Sequence, residues 1–262
     1  MSSLFDATPL SLVFVATVAV ILLAVETGFR TGMYRARKSE EERQAPIDAM
    51  VGSTLGLLAF VLAFTFAMAT SRYDARKQLV LDDVIAIRTA DLRAQLLPEQ
   101  HRDEIRDLLR EYVDVRVRGT LMPGELPRAI LRSEELQDQL WSRAAALVHE
   151  ASAMPLASGL TQALIQMIDL HSKRVTAGLH NRIPGTIWIA LYCVTVLAMA
   201  ITGYRTGIAG RRSIVATLTL VLAFSVVIVL IADLDRPQEG FLKVSQQAMV
   251  DLQTRLHRPW AR

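Results

Sequence analysis

Four uncharged stretches, residues 7–25, 49–71, 183–204 and 213–232, decide most of what this chain can become. A helix crossing the roughly 30 Å hydrocarbon core of a bilayer needs roughly 20 mostly apolar residues, and each stretch supplies them. Soluble cores seldom take helices that long without a charge. The chain is therefore expected to be an all-α polytopic membrane protein with four spans and the lipid bilayer as its first partner. Residues before the first stretch lack a basic cluster, and no small-residue cleavage site follows, so that stretch is expected to be a retained helix rather than a signal peptide. The single cysteine, Cys193, lies inside the third stretch and cannot form an intrachain disulfide. A formal net charge of +3 gives no strong field for nucleic acid.

Between the second and third stretches lie residues 72–182, with 16 Lys/Arg and 16 Asp/Glu. Balanced charge of this kind marks a solvated surface rather than a polybasic lipid sensor. Apolar residues recur there at helical spacing: Val80, Val84 and Ile87; Ile105, Leu109 and Tyr112; Leu136, Leu140, Ala144 and Leu147; Leu160, Leu164, Met167 and His171. Breaks fall at Leu97-Pro98, across Gly119 to Pro127, at Pro155 and at Ile183-Pro184-Gly185. The pattern predicts an extramembrane helical bundle, with the second span running unbroken into its first helix. After residues 236–240 turn the chain, Phe241, Val244, Ala248, Leu252 and Leu256 predict a short amphipathic C-terminal helix.

The spans themselves repeat. Thr27-Gly28-Phe29-Arg30-Thr31-Gly32 closes the first, and Thr202-Gly203-Tyr204-Arg205-Thr206-Gly207 closes the third. The spans that follow share Val61-Leu62-Ala63-Phe64-Thr65 and Val221-Leu222-Ala223-Phe224-Ser225. Two hairpins of the same orientation are expected, related by an axis along the membrane normal. The expected sections are thus 1–71 (first hairpin), 72–182 (bundle), 183–232 (second hairpin) and 233–262 (C-terminal helix). The repeat glycines suit a tight turn, and Arg30 and Arg205 suit either a headgroup anchor or an anion contact. Arg30, Arg35, Arg37, Lys38, Arg43, Arg205, Arg211 and Arg212 put both connecting loops on one side. The positive-inside rule makes that side the cytoplasm of an inner membrane, with the N-terminus, bundle and C-terminus periplasmic.

No motif of a nucleophile elbow, phosphate loop, zinc protease or dinucleotide fold is present, and the five histidines have no metal-ligand spacing. No enzyme activity, metal or cofactor is expected. No charge lies inside a span, which speaks against a proton relay. Ser53, Thr54 and Thr65, with Phe60 and Phe64 on the second span, either pack helices or line a narrow pore. Charge gathers instead where spans two and four leave the membrane: Arg72, Asp74, Arg76 and Asp82 on one, Asp233, Asp235 and Arg236 on the other. Either these groups pair as a clasp between hairpins or they form the mouth of an ion path.

At these residues the chain resembles a bacterial membrane family described as bestrophin-like. The likeness rests on Ser71 through Asp82 (SRYDARKQLVLD), on Leu96-Leu97-Pro98, and on Asp233-Leu234-Asp235-Arg236-Pro237 followed by Val244-Ser245-Gln246-Gln247. Bestrophins are oligomeric anion channels. The resemblance implies four spans, long helices between the second and third, and a ring of subunits around a pore for small ions. Two features depart from that pattern. A bestrophin orientation places the bundle in the cytoplasm, and bestrophin pores use a run of aromatic residues where this span offers Phe60, Phe64 and Phe66. A homo-oligomeric ion channel, conducting anions, is the expectation. The alternative is a sensor or accessory protein whose bundle binds a ligand or partner.

Overall fold

The computed structural model describes residues 8–38, 47–148, 154–179, 181–210, 213–236 and 240–258. Arg43, Arg211, Arg212 and the stretch 237–239 lie outside the described residues, as do two of the five histidines, His149 and His180. The described chain is all-helical: α1 (Leu10–Lys38), α2 (Ile47–Ala94), α3 (Glu99–Leu121), α4 (Leu126–Val148), α5 (Met154–Leu179), α6 (Gly185–Ala209), α7 (Ile214–Asp235) and α8 (Gln247–His257). Four of these, α1, α2, α6 and α7, are long and apolar enough to cross a membrane. Packing divides the chain into two units, one of Met1–Tyr73 with Arg182–Lys243, the other of Asp74–Asn181 with Val244–Arg262.

The first unit contains the four candidate spans. Its core gathers Ile21, Ala24 and Val25 of α1, Leu58, Leu62 and Ala69 of α2, Leu191, Ala198 and Met199 of α6, and Val221, Ile228 and Ile231 of α7. The dominant packing is α1 against α6. Here the glycines play a different part from the expected turn. Neither α1 nor α6 ends at the repeat; α1 continues to Lys38 and α6 to Ala209. Gly28 and Gly32 each face a carbonyl on α6, of Ala200 and Tyr204, while Gly203 and Gly207 face the carbonyls of Val25 and Phe29 on α1. A Cβ at any of the four would collide with backbone, so the glycines let two helices touch main chain to main chain.

The second unit is a bundle of the C-terminal part of α2 with α3, α4, α5 and α8. Pro98 precedes α3, a 3₁₀ turn at Pro123–Glu125 separates α3 from α4, and Pro127 and Pro155 sit in the first turns of α4 and α5. Proline belongs there, since the missing N–H has no helical partner anyway. Core residues include Ile87, Ala90 and Ala94 of α2, Ile105, Leu109 and Tyr112 of α3, Leu136, Leu140 and Ala144 of α4, and Leu160, Leu164 and Met167 of α5. The stripes read from the sequence are therefore the buried faces. Helix α8 contributes Met249, Leu252 and Leu256 to the same core. Arg106 and Arg110 of α3 donate to the Leu256 carbonyl at its C-terminal end, where an unsatisfied carbonyl and the negative end of the helix dipole favour a cation. This helix starts only at Gln247, so Phe241 and Val244 precede it instead of forming its first turn.

Candidate functional site

The acidic and basic residues at the end of α7 are built into a knot of backbone contacts. Both oxygens of Asp233 are used: Oδ1 accepts from Phe241 N–H at 2.9 Å and Oδ2 from Leu242 N–H at 3.1 Å. Those bonds hold residues 241–242 off the helix that the sequence pattern suggested. Asp235 accepts from Ile183 N–H at 2.9 Å, just before α6, and Arg236 donates to the Thr8 carbonyl at 2.8 Å, just before α1. Asp233, Asp235 and Arg236 are all buried. A buried carboxylate that accepts two amide hydrogens is well satisfied. Gly240 has φ of +134°, and a Cβ there would strike the Asp233 carboxylate, so only glycine suits this turn. Tyr73, at the middle of α2, donates to the Lys243 carbonyl at 3.4 Å. Asp233, Asp235 and Arg236 thus tie together the starts of α1 and α6 and the end of α7.

The α2 charges occupy varied settings. Arg72 is half-buried, Asp74 exposed, Arg76 buried and Asp82 half-buried, accepting from Gln78 at 2.9 Å. Among the described residues no group of three His, Cys, Asp or Glu side chains is placed to hold a metal ion.

The most concentrated charge in the bundle is one the sequence patterns pass over. Asp83 of α2 is 0% exposed, and its Oδ2 accepts from Arg116 of α3 at 2.7 Å and from Arg174 of α5 at 2.5 Å. Arg116 also donates to Nδ1 of His171, and Arg174 to Gln246 at 3.2 Å. Tyr112 lies 3.4 Å from the same histidine nitrogen and accepts from Gln137 at 3.2 Å. Burial first, and then the Arg116 cation, push His171 down to about 4, so its ring is neutral at pH 7. Burial raises the Tyr112 phenol above its ordinary range, so it too stays neutral. Burial and the neighbouring Arg116 lower Arg174, yet a guanidinium keeps its proton. Four helices and the segment before α8 thereby share one polar network. A signal for it does exist in the sequence. Asp83 falls between Val80 and Ile87 on the buried stripe of α2, Arg116 follows Tyr112 by four, and Arg174 follows His171 by three.

On the span portion of α2 the candidate pore residues divide between two faces. Thr65 is buried inside the unit and donates to the Val61 carbonyl at 2.7 Å. Ser53 is exposed and Thr54 half-buried, and their hydroxyls donate to the Ala49 and Met50 carbonyls one turn back. Phe60 and Phe64, one helical turn apart, are 69% and 61% exposed. Beside them runs a ridge of small residues, Gly52, Gly56, Ala59, Ala63 and Ala67, all exposed, with nothing within 4 Å of a Cβ placed on either glycine. At the far end, Arg30 pairs with Glu26 at 2.7 Å, and Arg205 pairs with Asp48 at the start of α2.

The bestrophin-like domain family matches residues 13–249. The chain belongs to that family. The match runs from the first turn of α1 to the first turn of α8, so it covers α3, α4 and α5 as well as the four candidate spans. A crystal structure described as that of a membrane protein, a point variant, is similar to this bestrophin-like chain with a TM-score of 0.65. The two are 15% identical, and the likeness covers 92% of this chain and 97% of that one. At that identity the likeness is one of fold. Among curated proteins nothing matches the chain.

Proposed function

We propose that this bestrophin-like protein is a homo-oligomeric ion channel that conducts anions, with the α2 spans of several copies arranged around the conduction axis. The observation that carries this reading is the uncovered face of α2. Its ridge of Gly52, Gly56, Ala59, Ala63 and Ala67 is exposed, and no described residue lies within 4 Å of a Cβ placed on either glycine. Lipid tails gain little from such a surface, whereas small residues let neighbouring membrane helices approach closely. Ser53, Phe60 and Phe64 beside the ridge then face the axis, offering one hydroxyl and two aromatic constrictions. Arg30 and Arg205 lie at one end of the path, where they favour anions or anionic headgroups. The charge at that end, with Arg35, Arg37 and Lys38, supports a cytoplasmic location for it and a periplasmic one for the bundle under the positive-inside rule. The two repeated hairpins supply the membrane frame, and the protein works as a conduit rather than a catalyst.

The test is ion flux through the purified full-length protein in liposomes, comparing chloride-driven with potassium-driven potentials. Chloride-selective flux that rises in Phe64→Ala supports the reading. No flux of either ion from folded, oligomeric protein over a range of pH overturns it.

The second reading, a sensor or accessory protein, draws support from the buried Asp83–Arg116–Arg174 network, since polar cores are common where a bundle responds to ligand. A partner that co-purifies in fixed ratio, together with absent flux, would favour it.

A further inference from the structure

Among the described residues the most exposed large apolar side chain is Phe241, at 89%, and Leu242 beside it is 40% exposed. Their main chain is nonetheless fixed. Asp233, itself 3% exposed, accepts the N–H of both residues, at 2.9 and 3.1 Å. Tyr73 donates to the carbonyl of the next residue, Lys243, at 3.4 Å, and Gly240 turns the chain at a φ that other residues rarely adopt. A buried carboxylate thus holds in place a loop whose apolar side chains stay uncovered. Water is a poor surrounding for a phenyl ring, so the position of this loop decides what meets it.

The hydrogen bonds fix its depth. Asp233 is the first residue past the uncharged run 213–232 and lies in the last turn of α7. The Phe241 amide is therefore one hydrogen bond from the end of a candidate span. Other aromatic residues mark the same edge. Tyr73 comes just after the uncharged run of α2, and half-buried Trp188 lies in the first turn of α6, whose approach is tied to α7 by Ile183 N–H on Asp235. The headgroup layer extends about 5–7 Å beyond the hydrocarbon on each side. A side chain anchored at the span's end stays within or beside that layer, where aromatic and leucine side chains are favoured. A second copy of the chain is the other possible occupant, but two apolar side chains offer far too little area for a stable protein interface. A bilayer needs no matching shape.

We propose that residues 241–243 form a membrane-docking loop whose partner is the phospholipid surface. Phe241 and Leu242 enter the boundary between headgroups and acyl chains, and exposed Lys243 reaches the lipid phosphates. Asp233 holds the loop at that depth, so the end of α7 is fixed to the bilayer surface. Docking of this kind needs no ion conduction and is measurable without flux.

The test uses the full-length protein in liposomes of phosphatidylcholine and phosphatidylglycerol. Phe241→Cys in a Cys193→Ser background carries a nitroxide label, and its collisions with oxygen, which concentrates in lipid, are compared with those of a water-soluble nickel chelate. Leu131→Cys, 62% exposed on the charged helix α4, is the aqueous reference, and Val226→Cys, 55% exposed within α7, is the lipid reference. The oxygen-to-nickel ratio at position 241 is expected to be several-fold above that at 131 and below that at 226. Because the label replaces the ring under test, Leu242→Cys, which leaves Phe241 in place, is measured alongside and is expected to report lipid as well. Ratios at 241 and 242 equal to that at 131 would place the loop in water. Exclusion of both reagents would place it against protein, such as a second copy. Either result would overturn the proposal.

Discussion

Three pairs of glycines spaced four residues apart lie in the membrane helices, and they meet opposite fates. Gly28 and Gly32 of α1 and Gly203 and Gly207 of α6 are filled to the limit, each against a backbone carbonyl of the other helix. Gly52 and Gly56 of α2 face open space. A glycine inside a helix costs about 1 kcal/mol relative to alanine, so both arrangements need a return. In α1 and α6 the return is visible as main-chain contact within one chain. In α2 no described residue supplies it, and the proposed oligomer would supply it from a second copy. The same spacing thus accompanies a close helix crossing in one place and an exposed helix face in another.

Substitution at the filled pairs gives the largest expected effect. Gly28→Ala or Gly203→Ala drives a methyl into a carbonyl, and separating the helices removes packing along their whole length. A loss of about 3 kcal/mol or more is expected, large enough for poor recovery of folded protein in detergent. Thermal unfolding of the purified variants reads it. If Gly28→Ala behaves like the wild type, the α1–α6 crossing is not as close as described.

Gly52→Leu with Gly56→Leu is the reciprocal experiment. Folding of one chain should survive, since both sites are open and leucine favours helix by about 0.8 kcal/mol. The assembly should fall apart to smaller species by size-exclusion light scattering, and flux should disappear with it. An assembly unaffected by both leucines would leave the α2 ridge facing lipid.

Acid gives a graded effect on the other unit. His171 titrates at about 4 in the folded protein, below the ordinary 6.5. The unfolded chain therefore binds a proton that the folded one refuses between those values. The stability this histidine supports is complete above pH 6.5 and is lost progressively as pH falls toward 4. His171→Gln should flatten that part of the profile, measured as Tm against pH; an unchanged slope would place the acid sensitivity elsewhere. The smallest change is expected from Arg30→Ala. Its partner Glu26 is one turn away on an exposed face, and such pairs contribute only about 0.2–0.5 kcal/mol.

Much of the fold was legible because its strongest signals are coarse. An uncharged run as long as a bilayer is thick leaves few alternatives, and prolines at 98, 127, 155 and 184 mark breaks or first turns where their missing N–H groups require them. Finer features were hidden by the same coarse patterns. Arg30 and Arg205 make a hydropathy profile end early, although the backbone continues helical past both, so the repeat glycines looked like turn residues. Phe241 and Val244 keep helical spacing with Leu252, yet Asp233 captures the amides that a helix would need. The bundle's charge balance says nothing of which charges turn inward. Asp83 is distinguished from its neighbour Asp82 only by falling on the Val80–Ile87 stripe, and a single carboxylate there is visible only once Arg116 and Arg174 are brought to it from other helices.

The central claim is that the α2 ridge meets its counterpart on another copy of the chain. Cysteine cross-linking in native membranes tests it most directly, with Cys193→Ser as background and Ala59→Cys or Ala63→Cys on the ridge. Val215→Cys, on an exposed position of α7, serves as the comparison. Mild oxidation is expected to give disulfide-linked dimers from the ridge positions and almost none from Val215→Cys. Monomers alone at both ridge positions, or equal cross-linking from Val215→Cys, would contradict the account.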